Sequence, residues 1–407
     1  MSYLTPHPAP MSCRPAIFMR FACLFFAGGL LPSMTMPHTS HAATFFSAEP
    51  YGTLPNGQKI ERYTLRNKAG LSVQFISYGG IITAIEVPDR HGRFSNIALG
   101  FPDLEGYVVK DAQANICFGA LIGRYANRIA NGTFTLDGVQ VQTTRNTPPN
   151  TLHGGANGFH KKLWHVRRLM GLPHATGAEL TLTSPDGDEG FPGTLHVSVR
   201  YILDDTNRLT LQYRATTDKP TVVNLTNHTY FNLNGEGSGS VENHHLHINA
   251  DHFTPTDAAS IPTGKLADVS NTPFDFRTAH SIGQHLRDTN PQLLAAHGYD
   301  QNWAINGYDG KTLRPAATLT DPASGRVLTV LTTLPGLQVY TANGLNGAYA
   351  GTSGRIYRQT DAVALETQFY PDAPNHPNFP SATLRPGVVY THTTVFAFGT
   401  DSTTQTP

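Results

Sequence analysis

Hydrophobic and polar positions alternate along most of this chain. Leu195, Val197, Val199 and Tyr201 interleave with Thr194, His196, Ser198 and Arg200. After the turn Asp204-Asp205-Thr206-Asn207 the alternation resumes at Leu209, Leu211, Tyr213 and Ala215. A period of two on both sides of a polar turn predicts an antiparallel hairpin with one buried and one wet face. Strand-like runs recur at residues 71–78, 81–87, 179–183, 327–332, 337–340 and 389–398. Turn signals such as Asp89-Arg90-His91-Gly92, Asp137-Gly138 and Pro335-Gly336 set them apart. Helical periodicity is confined to short stretches at residues 104–110 and 282–286. There is no internal repeat, low-complexity linker or break in composition after residue 42. The pattern therefore predicts an all-β chain, one large antiparallel β-sandwich spanning residues 43–407.

One stretch departs from plain alternation. In Val222-Val223-Asn224-Leu225-Thr226-Asn227-His228-Thr229-Tyr230-Phe231-Asn232-Leu233 the β-branched and aromatic residues predict a buried strand, yet three amides and a histidine sit inside it. An unpaired polar group in a buried strand costs about 1–3 kcal/mol, so these side chains either brace a loop or face a polar pocket. Further polar clusters adjoin predicted strands. Gly123-Arg124-Tyr125-Ala126-Asn127-Arg128 carries two arginines that either pair with surface carboxylates or hold a ligand. Leu152-His153-Gly154-Gly155 places a histidine ahead of paired glycines that suit a tight turn. Tyr299-Asp300-Gln301-Asn302 and Leu337-Gln338-Val339 put carboxylate and carboxamide groups beside strands. Such groups bind hydroxyl-rich ligands because they donate or accept in fixed directions. Glu366 ends the apolar run 362–365, where a carboxylate is costly unless it pairs with Arg124 or Arg128 or does chemistry.

Composition narrows the ligand. Charged residues make up 14% of the chain, against about 25% in an average soluble protein. The 29 basic and 29 acidic residues cancel, which removes the electrostatic case for nucleic acid or an anionic surface and favours a neutral ligand. At the N-terminus, Arg14 and Arg20 precede the apolar run 21–31, and Ser40-His41-Ala42 follows. This is the layout of a secretory signal peptide over residues 1–42, with Met11 or Met19 as alternative starts. The run is shorter than the roughly 20 apolar residues of a membrane span. Export to a bacterial periplasm, or beyond the cell, is the expectation. Loss of the leader leaves Cys117 as the one cysteine, read as a small buried hydrophobe. Among 19 histidines no pair has i, i+4 spacing on a helix, and His244 and His245 would point to opposite faces of a strand. The sequence therefore predicts no metal site.

In their order along the chain these segments resemble the aldose 1-epimerase (galactose mutarotase) family. The likeness runs from Gly119-Ala120-Leu121-Ile122-Gly123-Arg124 through Asn127-Arg128-Ile129, Leu152-His153-Gly154-Gly155, Ser184-Pro185-Asp186-Gly187 and the 224–233 stretch. It continues through Ile261-Pro262-Thr263-Gly264 and Phe274-Asp275-Phe276-Arg277 to Leu384-Arg385-Pro386-Gly387. The resemblance implies a β-sandwich of galactose-mutarotase type, no cofactor, and interconversion of the α and β anomers of free aldohexoses such as galactose and glucose. By position it implies His228 as proton donor and Glu366 as proton acceptor. Asn127, Arg128, His153, Tyr230, Asp300 and Gln338 take the places of sugar-binding residues. Monomer and homodimer are both open.

The residue types suit that chemistry on their own account. Ring opening needs a base for the anomeric hydroxyl proton and an acid for the ring oxygen, and a carboxylate with a histidine supplies both. Two rival readings stand beside it. A glycoside hydrolase would use Asp300 and Glu366 as paired carboxylates, which leaves His228 without a role. An exported sugar-binding or sensing module would keep the pocket and lack turnover.

Overall fold

The computed structural model describes residues 44–401. The stretch read as a signal peptide lies outside the described residues. Among the described residues the longer strands gather into a nine-stranded, a six-stranded and a five-stranded sheet with antiparallel ladders, joined by two-stranded ribbons. The hairpin predicted from alternation forms as Leu195–Asp204 against Arg208–Thr217. Tyr201 lies opposite Leu211 and Val199 opposite Tyr213. One face of that hairpin is buried and the other wet, because successive strand residues point to opposite sides. Tyr390–Thr400 and Arg326–Thr332 continue the same sheet. Its inner residues, among them Leu211, Leu328, Val330 and Phe396, share one core with Leu337, Val339, Val363 and Leu365 of the six-stranded sheet. Each such side chain contributes about 1.5–3 kcal/mol on full burial, so the two layers are held by apolar contact. Cys117 is a core residue, as the sequence suggests, and Trp164 is another.

The six-stranded sheet positions the site. Its order is Tyr230–Phe231, Val363–Gln368, Gly336–Tyr340, Asp300–Ala304, His252–Thr254 and Ala267–Asp268. Every residue of Val363–Gln368 is buried, although the strand alternates. Val363 and Leu365 enter the sandwich core, while Glu366 points to the opposite face and reaches a cavity.

Two sequence expectations need correction. The stretch 222–233 is not one strand but three two-residue pieces with different partners: Thr221–Val222 on Thr383–Leu384, Thr226–Asn227 on Leu121–Ile122, and Tyr230–Phe231 on Val363–Ala364. The amides cause the breaks by bonding backbone that a ladder would otherwise pair. Asn224 donates to the Ala126 and Phe369 carbonyls and accepts from the Phe369 N–H, and Asn232 donates to the Gly239 and Asp361 carbonyls. Asn227 donates to the Gly119 carbonyl. Helix is also slightly richer than the periodicity suggests. The stretches at 104–110 and 282–286 appear as Gly106–Asp111 and Gly283–Leu286, and Pro291–Ala296 is a further helix. Asn290 caps that last helix by accepting from the Gln292 N–H, and Pro291 fits its first turn.

Candidate active site

Strand register brings distant residues into two rows on one face of the six-stranded sheet. Glu366 lies opposite Gln338, and Gln338 opposite Asn302. Two residues along, Tyr230 lies opposite Ala364, Ala364 opposite Tyr340, and Tyr340 opposite Asp300. Directly opposed residues share a face. This face is one wall of a cavity of about 290 Å³ whose lining includes Asn127, Arg128, His153, His228, Tyr230, Asp300 and Glu366.

The other wall is a short ribbon in which Arg128–Ile129 pairs with Thr151–Leu152. Asn127 and His153 both adopt left-handed backbone, with φ of 62° and 52°. The two residues clasp each other. The His153 N–H donates to the Asn127 carbonyl at 2.9 Å, and the Asn127 N–H donates to His153 Nδ1 at 3.2 Å. A backbone amide can only donate, so Nδ1 must be the acceptor and the ring proton sits on Nε2. Burial also holds the His153 pKa well below its usual value, with the neighbouring His228, His160 and Arg128 charges acting in the same direction. His153 therefore presents a neutral N–H donor. Gly154 lets this turn approach, since a Cβ there would lie 2.1 Å from the Gly123 carbonyl oxygen.

Arg128 and Asp300 span the two walls. Their side chains form an ion pair at 3.6 Å, and Gln338 donates to Asp300 Oδ1 at 2.7 Å. Arg128 is steadied by the Asn127 carboxamide oxygen, which accepts from the Arg128 N–H. Arg128, one of the two arginines that could have paired with Glu366, thus pairs with Asp300 instead. Arg124 is neither a ligand-facing residue nor a surface ion pair. It is buried and donates to the Pro192, Gly193, Ser184 and Pro185 carbonyls and the Ser184 hydroxyl, bracing the Ser184-Pro185-Asp186-Gly187 turn.

At the buried end of the cavity His228 Nε2 lies 3.4 Å from Glu366 Oε1. Glu366 Oε2 and His228 Nδ1 have no hydrogen-bond partner among the described residues. Burial penalises the charged form of each group. It raises the Glu366 pKa well above the ordinary carboxylate value, reinforced by the Asp300 charge and opposed by Arg128. It lowers the His228 pKa to about 4. Burial thus favours the neutral form of both groups, the carboxylic acid and the imidazole. One atom each from His153, His228 and Glu366 fall within 4.8 Å of one another, a convergence of possible metal ligands invisible in the sequence spacing. The His153 tautomer makes its cavity-facing nitrogen a donor rather than a lone pair, which suits an oxygen acceptor better than a cation.

The structure brings together Asn127, Arg128, His153, His228, Tyr230, Asp300 and Glu366 on the cavity lining. Gln338 stands behind that lining, where it orients Asp300 and accepts from Gln368 at 3.2 Å. The Tyr230 hydroxyl donates to the Ile116 carbonyl at 2.9 Å. Sequence reading missed the outer lining: Asn115, Tyr340, Asn346 and Tyr349. Tyr340 was within reach, because it precedes the asparagine-containing turn after the Gln338 strand. Asn115 lies in a turn and Asn346 at the start of the ribbon strand Asn346–Ala350, neither with a chemical signature.

Comparison with known proteins finds relatives over most of the chain. A family model described as Aldose 1-epimerase matches residues 61–397. Galactose mutarotase from Bos taurus is 46% identical over 349 residues, 86% of this chain and 97% of that protein. Aldose 1-epimerase from Escherichia coli K12 is 40% identical over 353 residues, 84% of this chain and 96% of that protein. The crystal structure of galactose 1-epimerase from Lactobacillus acidophilus superposes with a TM-score of 0.76 at 29% identity, covering 88% of this chain and 99% of that one.

Proposed function

Since the chain belongs to the aldose 1-epimerase family and is an aldose 1-epimerase, we propose that Glu366 and His228 are the base and acid that open and reclose the sugar ring. The observation that carries this is the 3.4 Å approach of Glu366 Oε1 to His228 Nε2 at the buried end of the cavity. Entry of the sugar inserts its anomeric hydroxyl and ring oxygen between the two groups, and the proton held by Glu366 passes to His228. Glu366 then takes the proton of the anomeric hydroxyl while His228 protonates the ring oxygen, and the bond between that oxygen and the anomeric carbon breaks. The aldehyde turns about its bond to the next carbon and presents its other face. On closure the ring hydroxyl attacks the carbonyl carbon, His228 recovers its proton, and Glu366 returns one to the anomeric oxygen. Both groups end as they stood at ring opening, and the shared proton passes back to Glu366 as the product leaves, so no proton is gained or lost in a turnover.

The other residues orient the ring. The neutral His153 N–H donates to a sugar oxygen and stabilises charge developing there. Arg128 and Asp300 present a donor fork and an acceptor to hydroxyls further out, and Asn127 and Gln338 fix those two side chains in place. Asp300, the second carboxylate of a hydrolase reading, is engaged by Gln338 and Arg128 and serves as a clamp. Galactose and glucose are the proposed substrates. Export completes the reading, supported by the sequence pattern of residues 1–42, and N-terminal sequencing of the exported protein starting at Ala43 would agree with it.

The direct test is polarimetry on freshly dissolved α-galactose and α-glucose. Each positioned acid or base contributes about 10²–10⁴-fold, so Glu366→Gln and His228→Asn should each lose at least about 10²-fold in kcat. A loss of less than about tenfold in both folded variants would remove the assignment.

A further inference from the structure

We infer that Tyr230 is a positioning residue that sets the His228 ring and ties it to the Asn115–Ile116 wall of the cavity, rather than a hydroxyl that binds the sugar. The inference rests on the proposed role of His228 as the acid.

A histidine that must deliver a proton in one direction is ordinarily oriented by a hydrogen bond on its second nitrogen. His228 Nδ1 is buried and meets no other residue among those described, only its own backbone. Packing has to do the orienting. The Tyr230 ring stacks on His228 at 4.9 Å between centroids and 26° between planes, while His153 meets the same imidazole edge-on at 5.2 Å and 85°. The angle from which Nε2 addresses Glu366 therefore follows from where Tyr230 lies.

Tyr230 is fixed on several sides. Its backbone pairs with Val363–Ala364 on the strand that carries Glu366. Phe118 packs edge-on against its ring at 4.9 Å. Its hydroxyl donates to the Ile116 carbonyl at 2.9 Å, and burial raises its pKa well above the usual tyrosine value, so it remains a donor. That one proton is already committed. Ile116 belongs to a cavity wall whose backbone is left-handed on either side, with φ of 53° at Asn115 and 64° at Cys117. The Asp111 carboxylate holds the same turn from below by accepting from the Cys117 and Phe118 N–H groups. Backbone of this kind persists only where its surroundings dictate it. The Tyr230 hydroxyl is one of those determinants, so the wall and the acid share a single strut.

The test compares kcat and KM for Tyr230→Phe, which keeps the stack and loses the tie, with Tyr230→Leu, which loses both. Tyr230→Phe should lower kcat about tenfold with KM changed less than about twofold, and Tyr230→Leu should lower kcat further. Placing Tyr230→Phe in the His228→Asn background should change the residual rate less than about twofold, because the two substitutions act on one step. Three results overturn the inference. They are a KM rise of about tenfold with kcat kept, a Tyr230→Phe protein equal to wild type, and a full Tyr230→Phe loss persisting without His228. Should Tyr230→Leu prove inactive because it melts early, Tyr230→Phe and the double variant decide between these outcomes without it. Failure of the acid assignment itself would show separately, as a fully active His228→Asn protein.

Discussion

The pH profile of kcat/KM is a sharp consequence of the buried pair. An exposed histidine acting as the acid would titrate near 6.5, but burial lowers His228 to about 4. That difference corresponds to about 3 kcal/mol at about 1.4 kcal/mol per unit. The active stock is the pair holding one proton, which before sugar binding sits on Glu366. Acid adds a second proton, on His228, and then neither group can act as base. The sign is therefore a loss of activity as pH falls through about 4, tenfold per unit below it. At the alkaline end, the raised Glu366 pKa delays loss of the single proton. Arg128, Asp300 and His153 face the pair, so their substitution should move these limbs. The assay is the initial polarimetric rate, with the spontaneous rate subtracted at each pH. Circular dichroism must accompany it, because other buried histidines are also held neutral. His160 is lowered to about 3, and His244 and His392 to about 4. In the unfolded chain these bind protons from about 6.5 downward, so their contribution to stability is complete above 6.5 and is lost as pH falls towards 4. An acid limb near 6.5 in protein that remains folded would be incompatible with a buried, neutral His228.

Two further substitutions probe the scaffold. Arg124→Met strips the donor from several buried carbonyls and should cost about 3 kcal/mol or more in urea unfolding; a loss under about 1 kcal/mol would show that the guanidinium is dispensable. Gly154→Ala puts a Cβ 2.1 Å from the Gly123 carbonyl oxygen at a φ of +85°, so the His153 turn must shift. Its kcat should fall at least about tenfold with a lowered melting temperature, and an unchanged kcat would mean that His153 needs no fixed angle.

What the sequence discloses follows physical range. Alternation in 195–203 and 209–215 depends on neighbours two residues apart and on one buried face, so the hairpin and its register were legible. The stretch 222–233 defeats the same reasoning. Its composition is that of a strand, but Asn224 spends its amide on backbone groups 98 and 145 positions away and Asn227 on one 108 away, while Asn232 divides its own between Gly239 nearby and Asp361, 129 positions on. No local rule reports such partners. The apolar residues therefore say that the segment is buried, while the amides decide that it cannot be a ladder. Only His228 and Tyr230 of this stretch are left to line the cavity.

The candidate site shows the same division. Residue types and family resemblance single out Glu366 and His228, yet the properties that make them a pair belong to register. Glu366 is buried on the cavity side because Val363 and Leu365 occupy the core side of its strand. His228 meets it because Tyr230 takes the position opposite Ala364, two residues before Glu366. A one-residue slip of Tyr230–Phe231 against Val363–Gln368 would turn Phe231 into the cavity and Tyr230 into the core beside Phe396. The core contact of Phe231 with Phe396, at 5.2 Å, thus helps hold the catalytic register. Apolar packing on one face of this strand pair sets the acid–base geometry on the other.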